Sequence, residues 1–175
     1  MHLTINELLS YTDEERRKWE DWFTNHGNDP LKLPVPMDVH PNIAALILHC
    51  FWAELFYAHW MQGEILTPER IKTISESLSE DPNADQIFAF GHSERKTLQD
   101  ATGSFTSDDW EKTHDLEMQG FRFDGSARKL IAHILVHEIR HWAQVAVTVR
   151  QHNLAPPGEH DLIFSKSFGP LVSKL

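Results

Sequence analysis

The sequence predicts an all-α domain, a four-helix bundle, on two observations. Four long segments carry apolar residues at helical spacing, and clusters of glycine and proline separate them. Strand signal is confined to a weak alternation between Gly103 and Gly125. A bundle buries one stripe of each helix in a shared core, and its ligand sites are usually built there.

The first helix is expected over roughly Ile5 to Asn25, with Leu8, Leu9, Trp19, Trp22 and Phe23 as its apolar stripe. Gly27, Pro30, Pro34, Pro36 and Pro41 then make a loop of restricted backbone. A second helix runs from about Asn42 to Gln62, opened by the Pro41-Asn42 pair and closed near Gly63. It is apolar nearly all round, so other helices should surround it. Thr67-Pro68-Glu69 marks the start of a short helix, and a third long segment spans about Asn83 to Ala101, carrying Ile87, Phe88, Phe90 and Leu98. Residues Gly103 to Gly125, with Trp110, Phe121 and Phe123, read as an irregular connection or short hairpin. Ser126 is placed to cap the last helix, which runs free of Gly and Pro to about Asn153 before Pro156-Pro157-Gly158 ends it.

The 175 residues fit a single domain, 1–175, long enough to bury a core without disulfides. With 41% hydrophobic and 24% charged residues, the chain has the composition of a globular protein. Its formal charge of −10 repels phosphate backbones, which argues against nucleic acid as a partner. The single cysteine, Cys50, lies in an apolar run and reads as a buried structural thiol. Met1-His2-Leu3-Thr4 has neither a basic nor an apolar signal region, and the apolar run Ile43 to Met61 is interrupted by His49, Glu54 and His59. The expectation is a cytoplasmic protein that does not enter membranes.

Histidines carry the chemistry. The last helix reads His133-Ile134-Leu135-Val136-His137-Glu138-Ile139-Arg140-His141-Trp142. Three imidazoles recur every four residues and lie along one face, with neighbouring Cβ atoms about 6 Å apart. His133 and His141 are two turns apart and cannot share an ion, so His137 belongs to any ligating pair. A lone H-x-x-x-H pair carries no weight, because 12 histidines in 175 residues produce about 0.8 such pairs by chance. Three on one inner stripe are different, since burying neutral imidazoles without partners costs several kcal/mol. The same residues spell H-E-x-x-H, which puts Glu138 in the general-base position of a zincin protease. The longer metzincin form fails, because Gln144 and Val147 stand where its glycine and third histidine belong. His49, inside the apolar second helix, is the best candidate for a third ligand, against the competing reading of a buried imidazole bonded to Glu54 or a carbonyl. His92 is a reserve ligand or supporting group, and His59 is expected to meet solvent near its helix end. His2, His26, His40, His114, His152 and His160 read as surface or loop residues.

The stretch from His133 to Gln144, continued by Val145-Ala146-Val147-Thr148-Val149-Arg150-Gln151, resembles the last helix of the DinB/YfiT-like family of metalloenzymes. Pro156-Pro157 with Asp161-Leu162-Ile163-Phe164 is similar to that family's tail, and His49 before Trp52-Ala53-Glu54 is similar to its first ligand segment. Val136 stands where an asparagine is frequent, and Trp142-Ala143 where Arg-Gly is frequent. The resemblance covers roughly Ile5 to Phe164. It implies an up-down-down-up bundle with one divalent metal ion, zinc or nickel, on His49, His137 and His141. It also implies a homodimer.

Three neutral nitrogen ligands leave an ion its full charge and open positions, suited to activating a water or a small thiol. The functional expectation is therefore a metal-dependent hydrolase or thiol-dependent transferase acting on a small molecule, with Glu138 as the nearest base and Gln144 available to orient a ligand. The alternative is a non-catalytic, stress-response module that binds metal or ligand. A pocket lined by Trp52, Phe56 and Trp142 would suit either.

Overall fold

The computed structural model describes residues 3–36, 38–118, 121–160 and 162–168, with side chains described outside 116–123. His2 and Asp161, and the side chains of Phe121 and Phe123, lie outside the described residues. Four long helices dominate: α1 (Ile5–His26), α2 (Ile43–Met61), α4 (Ala84–Thr102) and α6 (Ala127–Gln151). Each begins where a side-chain oxygen takes an otherwise orphan backbone N–H. Thr4 and Glu7 form a reciprocal capping box on α1, as do Asn83 and Gln86 on α4. Asn42 accepts from the Ala45 N–H and Ser126 from that of Lys129, so both expected caps hold. Helix α2 is closed by Gly63, whose φ of 76° is open to glycine at little cost.

Of the two readings of the stretch before the last helix, the short hairpin holds. The stretch contains a short helix, α5 (Ser107–Glu111), and then an antiparallel hairpin of β1 (Thr113–Met118) with β2 (Phe121–Ser126), in register from Thr113↔Ser126 to Met118↔Phe121. Helix α3 (Pro68–Ser77) starts at the expected Thr67-Pro68, with Thr67 as its cap.

Two apolar clusters fix the helix directions. At one end Trp22 and Phe23 of α1 meet Ile43 and Leu46 of α2, Ala84 and Ile87 of α4, and Val145 and Val149 of α6. At the other, Leu8 meets Ala58, Leu98 and Ile131. So α1 and α6 run one way and α2 and α4 the other, an up-down-down-up bundle. The order requires a return from the end of α2 to the start of α4, and the segment bearing α3 makes it. Helix α2 is long and apolar enough to cross a membrane, yet more than half of that stretch is buried inside the protein, as in a core helix.

Between the two clusters lies a layer of charge. Arg16, Glu54, Arg95 and Glu138, one from each long helix, are all at most 4% exposed. Arg16 binds Glu138 through Nε at 2.6 Å and Glu54 through Nη2 at 2.7 Å. Arg95 reaches Glu54 at 2.7 Å, Glu138 at 2.9 Å and Asp13 at 2.5 Å. The Arg16 guanidinium also lies 4.5 Å from the centre of the Phe51 ring and donates to the Gly91 carbonyl. A Cβ at Gly91 would fall 2.4 Å from that ring, so this interior helix position needs glycine for the close approach.

Candidate metal centre

His49 on α2 and His137 and His141 on α6 meet at the seam between those helices. The i, i+4 spacing stacks His137 and His141 on one face of α6, and the antiparallel approach of α2 brings His49 level with them. The Nε2 atoms converge: His49 to His137 is 3.3 Å and His137 to His141 is 2.9 Å. Nitrogens about 2.05 Å from one ion, at angles of 90–110°, stand about 2.9–3.4 Å apart. The spacing is that of neighbouring vertices in a coordination shell.

Protonation agrees. Burial, reinforced by the neighbouring imidazoles, pushes His49 and His137 down to about 4, and burial also lowers His141. All three are therefore neutral near pH 7 and offer lone pairs. For His141 the tautomer follows from its neighbours. The Asp38 carboxylate can only accept, so the Gln144 amide turns its NH2 to Asp38 at 3.0 Å and its oxygen to His141 Nδ1. Nδ1 must then donate, which leaves Nε2 bare for an ion. Asp38 is also held by the backbone N–H of His40 at 2.9 Å, and its carboxyl is kept below its usual range chiefly by that bond. Such a carboxylate–amide–imidazole chain orients a ligand nitrogen. With His141 an acceptor at Nε2, a single proton between the rings could satisfy only part of the cluster. A divalent cation could satisfy all three nitrogens at once. The donor set therefore fits a metal ion.

Several expectations need correction. Glu138 follows His137 by one residue, which turns it about 100° around the helix into the core. Its Oε1 accepts from Arg16 and Trp142, and its Oε2 from Arg16 and Arg95. Burial would raise its pKa, but the two arginines outweigh that and lower it. A carboxylate so engaged has no free lone pair aimed at a substrate, and Glu138 is not placed to act as a base. Trp142 does not line a pocket with Trp52 and Phe56. It stacks in the core on Trp19 and Phe88, while Trp52 and Phe56 pack near Phe90. His59 is buried, because the turn at Gly63 folds Glu64 back to within 2.8 Å of its Nδ1. His92 lies exposed against Glu20, away from the other histidines. His160 lies in a loop, as expected, where it packs on Trp19 and meets Glu15 at 2.7 Å.

His133 is exposed one turn from His137, with ring centroids 5.8 Å apart, and faces Tyr57. Cys50 is buried, as expected, and donates to the Leu46 carbonyl. Sequence reasoning missed the charged layer and the proximity of His40 to the cluster. Arg16 and Arg95 each fall within an apolar stripe, and an unexplained charge there was the available signal.

The sequence profile of the DinB family matches residues 1–166, and the chain belongs to that family. Among solved structures, a DinB-like protein from Bacillus subtilis, YjoA, is similar in fold, with a TM-score of 0.61 at 14% identity, over 89% of this chain and 98% of that one. No curated protein matches the sequence.

Proposed function

We propose that this member of the DinB family is a metal-dependent enzyme holding one divalent ion, zinc or nickel, on His49, His137 and His141, and acting on a small molecule as a hydrolase or thiol-dependent transferase. The convergence of three neutral Nε2 atoms carries the reading, because one proton between the rings satisfies only part of the cluster and a cation would satisfy all three. When bound, such an ion supplies positive charge that lowers the pKa of a water or thiol at its open positions. Gln144 and Asp38 hold the His141 ring with Nε2 turned to the ion. Beside Gln144, a mostly apolar groove of about 310 Å³, lined by Val35, Pro36, Ala143 and Val147, would take the non-reacting part of a substrate. Neither this groove nor a cavity of about 730 Å³ between the start of α1, the end of α4 and Trp110 is lined by the three histidines. The groove is preferred because it borders Gln144, whereas the cavity borders none of these residues and has no part in the reading.

The half-buried face of α2, with Leu48, Trp52, Phe56 and Trp60, supports the proposed homodimer, and light scattering at monomer mass would reject it. Elemental analysis tests the metal: about one equivalent per chain is expected in the wild type and none in His141→Ala. Metal-free protein indifferent to added zinc and nickel would refute the proposal. Thiol-transfer and ester-hydrolysis assays on loaded protein then separate an enzyme from the alternative, a non-catalytic binding module.

A further inference from the structure

The loop before α2 turns its side chains the wrong way round for an ordinary surface loop. Val39 is 92% exposed, while the next residue, His40, directs its ring inward and is half-buried. The His40 ring lies 4.4 Å from that of His49 and 6.4 Å, edge-on, from that of His141, measured between centroids. Among the described residues no group hydrogen-bonds to this ring. Its backbone N–H binds Asp38, which binds Gln144, which binds His141, so the loop is tied to the cluster through its main chain.

Imidazoles sharing one ion at 90–110°, with about 2.05 Å metal–nitrogen bonds, have ring centroids about 4.5–5.3 Å apart. The three pairs within the cluster span 4.3 to 5.4 Å. The His40–His49 separation falls in that span, and the His40–His141 separation exceeds it by about 1 Å, a distance a loop can close. His133 does not compare. It is 5.8 Å from His137 and, among the described residues, makes no ring contact with His49 or His141.

We propose that His40 is a fourth, loop-borne ligand of the ion, closing a position that the three helical histidines leave open and yielding it when a substrate enters. The inference rests on the metal reading above. A ligand on a loop, where the other three stand on helices, is the one that can exchange at least cost to the fold.

The probe is Co(II) alone, added to metal-free full-length protein, with its visible d–d spectrum and its affinity against a competing chelator as readouts. In His40→Ala we expect the bands to change, the affinity to fall about tenfold or more, and azide to bind at lower concentration than in wild type. Added imidazole should bring the wild-type bands back, which a merely structural role of the loop would not allow. Asp38→Asn, which loosens the loop but spares the ring, should weaken affinity while keeping the bands, and His133→Ala should change neither. Wild-type bands and affinity retained in His40→Ala overturn this inference alone, as does a change of bands in His133→Ala instead. Wild-type protein that takes up no Co(II) overturns the metal reading, and this inference with it.

Discussion

Two polar clusters share the same two helices and satisfy themselves in opposite ways. His49 and Glu54 both stand on α2, and His137 and Glu138 are neighbours on α6. The carboxylates turn inward, are all but inaccessible, and find two arginines from α1 and α4. The imidazoles stay half-buried at the seam, where their Nε2 atoms face one another. Burial raises the cost of charge in both places. In the inner layer opposite charges offset it and every oxygen of Glu138 is used. In the outer cluster the cost is met by staying neutral, and the lone pairs are left for something else. A closed cluster specifies the fold, and an open one binds.

The sharpest way to test that contrast is to damage each cluster separately. Glu138→Ala leaves Arg16 and Arg95 buried with Glu54 as their main partner, and breaking such a network costs about 3–5 kcal/mol. Urea unfolding of metal-free protein should show that loss. Were the loss under about 1 kcal/mol, the inner layer would not be the closed structural element described here.

Removing a ring from the outer cluster should do the reverse. For His137→Ala we expect metal-free stability within about 1 kcal/mol of wild type, but a loss of several kcal/mol in metal binding, read by competition with a chelator. His133→Ala should keep tight binding. Metal lost in His133→Ala and kept in His141→Ala would move the ligand set by one helical turn.

Gln144→Ala probes the link between ligand and loop. It frees the His141 ring and releases Asp38 without removing a ligand, so affinity should fall about 10- to 100-fold. Unchanged affinity would show that the Asp38–Gln144 pair does not orient His141.

The contrast also explains which features were readable from the chain. Helical periodicity and caps are local, so the four long helices, Asn42, Ser126 and the break at Gly63 could all be placed from sequence. The histidine spacing on α6 is local too, and His49 stood out as a polar group in an apolar helix. The charged layer is not local: Arg16 meets Glu138 across 122 residues, and no pattern near either pairs them. Glu138 was misread for that reason. The H-E-x-x-H spacing fixes where the residue stands on its helix, but the arginines waiting on α1 and α4 decide what it does. His40 escaped because a loop has no period from which to infer where a side chain points.

The smallest expected effect is on acid stability, where four side chains titrate, three in one direction and one against them. His49 and His137 have folded pKa values of about 4, below the usual 6.5, so between those values the unfolded chain binds more protons than the folded one. Stability should therefore fall as pH drops from about 6.5 to 4. Glu138, lowered in the folded protein, adds a second loss below about 4.5, where unfolded carboxylates take protons. Glu94 opposes the first limb. It is buried on α4 with Oε2 unpartnered, and burial raises it to about 7. Its folded state holds the extra proton, so its contribution is present below about 4.5 and is lost as pH rises through 7. In wild type the two tendencies partly cancel and the curve from pH 7 to 5 is shallow. Replacing Glu94 by Gln removes the opposing group, and metal-free Glu94→Gln should lose about 1 kcal/mol between pH 7 and 5, a figure that allows for solvent around the half-buried rings. Adding His49→Ala should flatten that limb and leave the steeper loss below pH 4.5 in place. Urea midpoints at half-unit pH steps would resolve the limbs. A Glu94→Gln curve flat from pH 7 to 5 would mean that the imidazoles are not held neutral by the fold, and the division between a closed inner layer and an open outer one would lose its electrostatic basis.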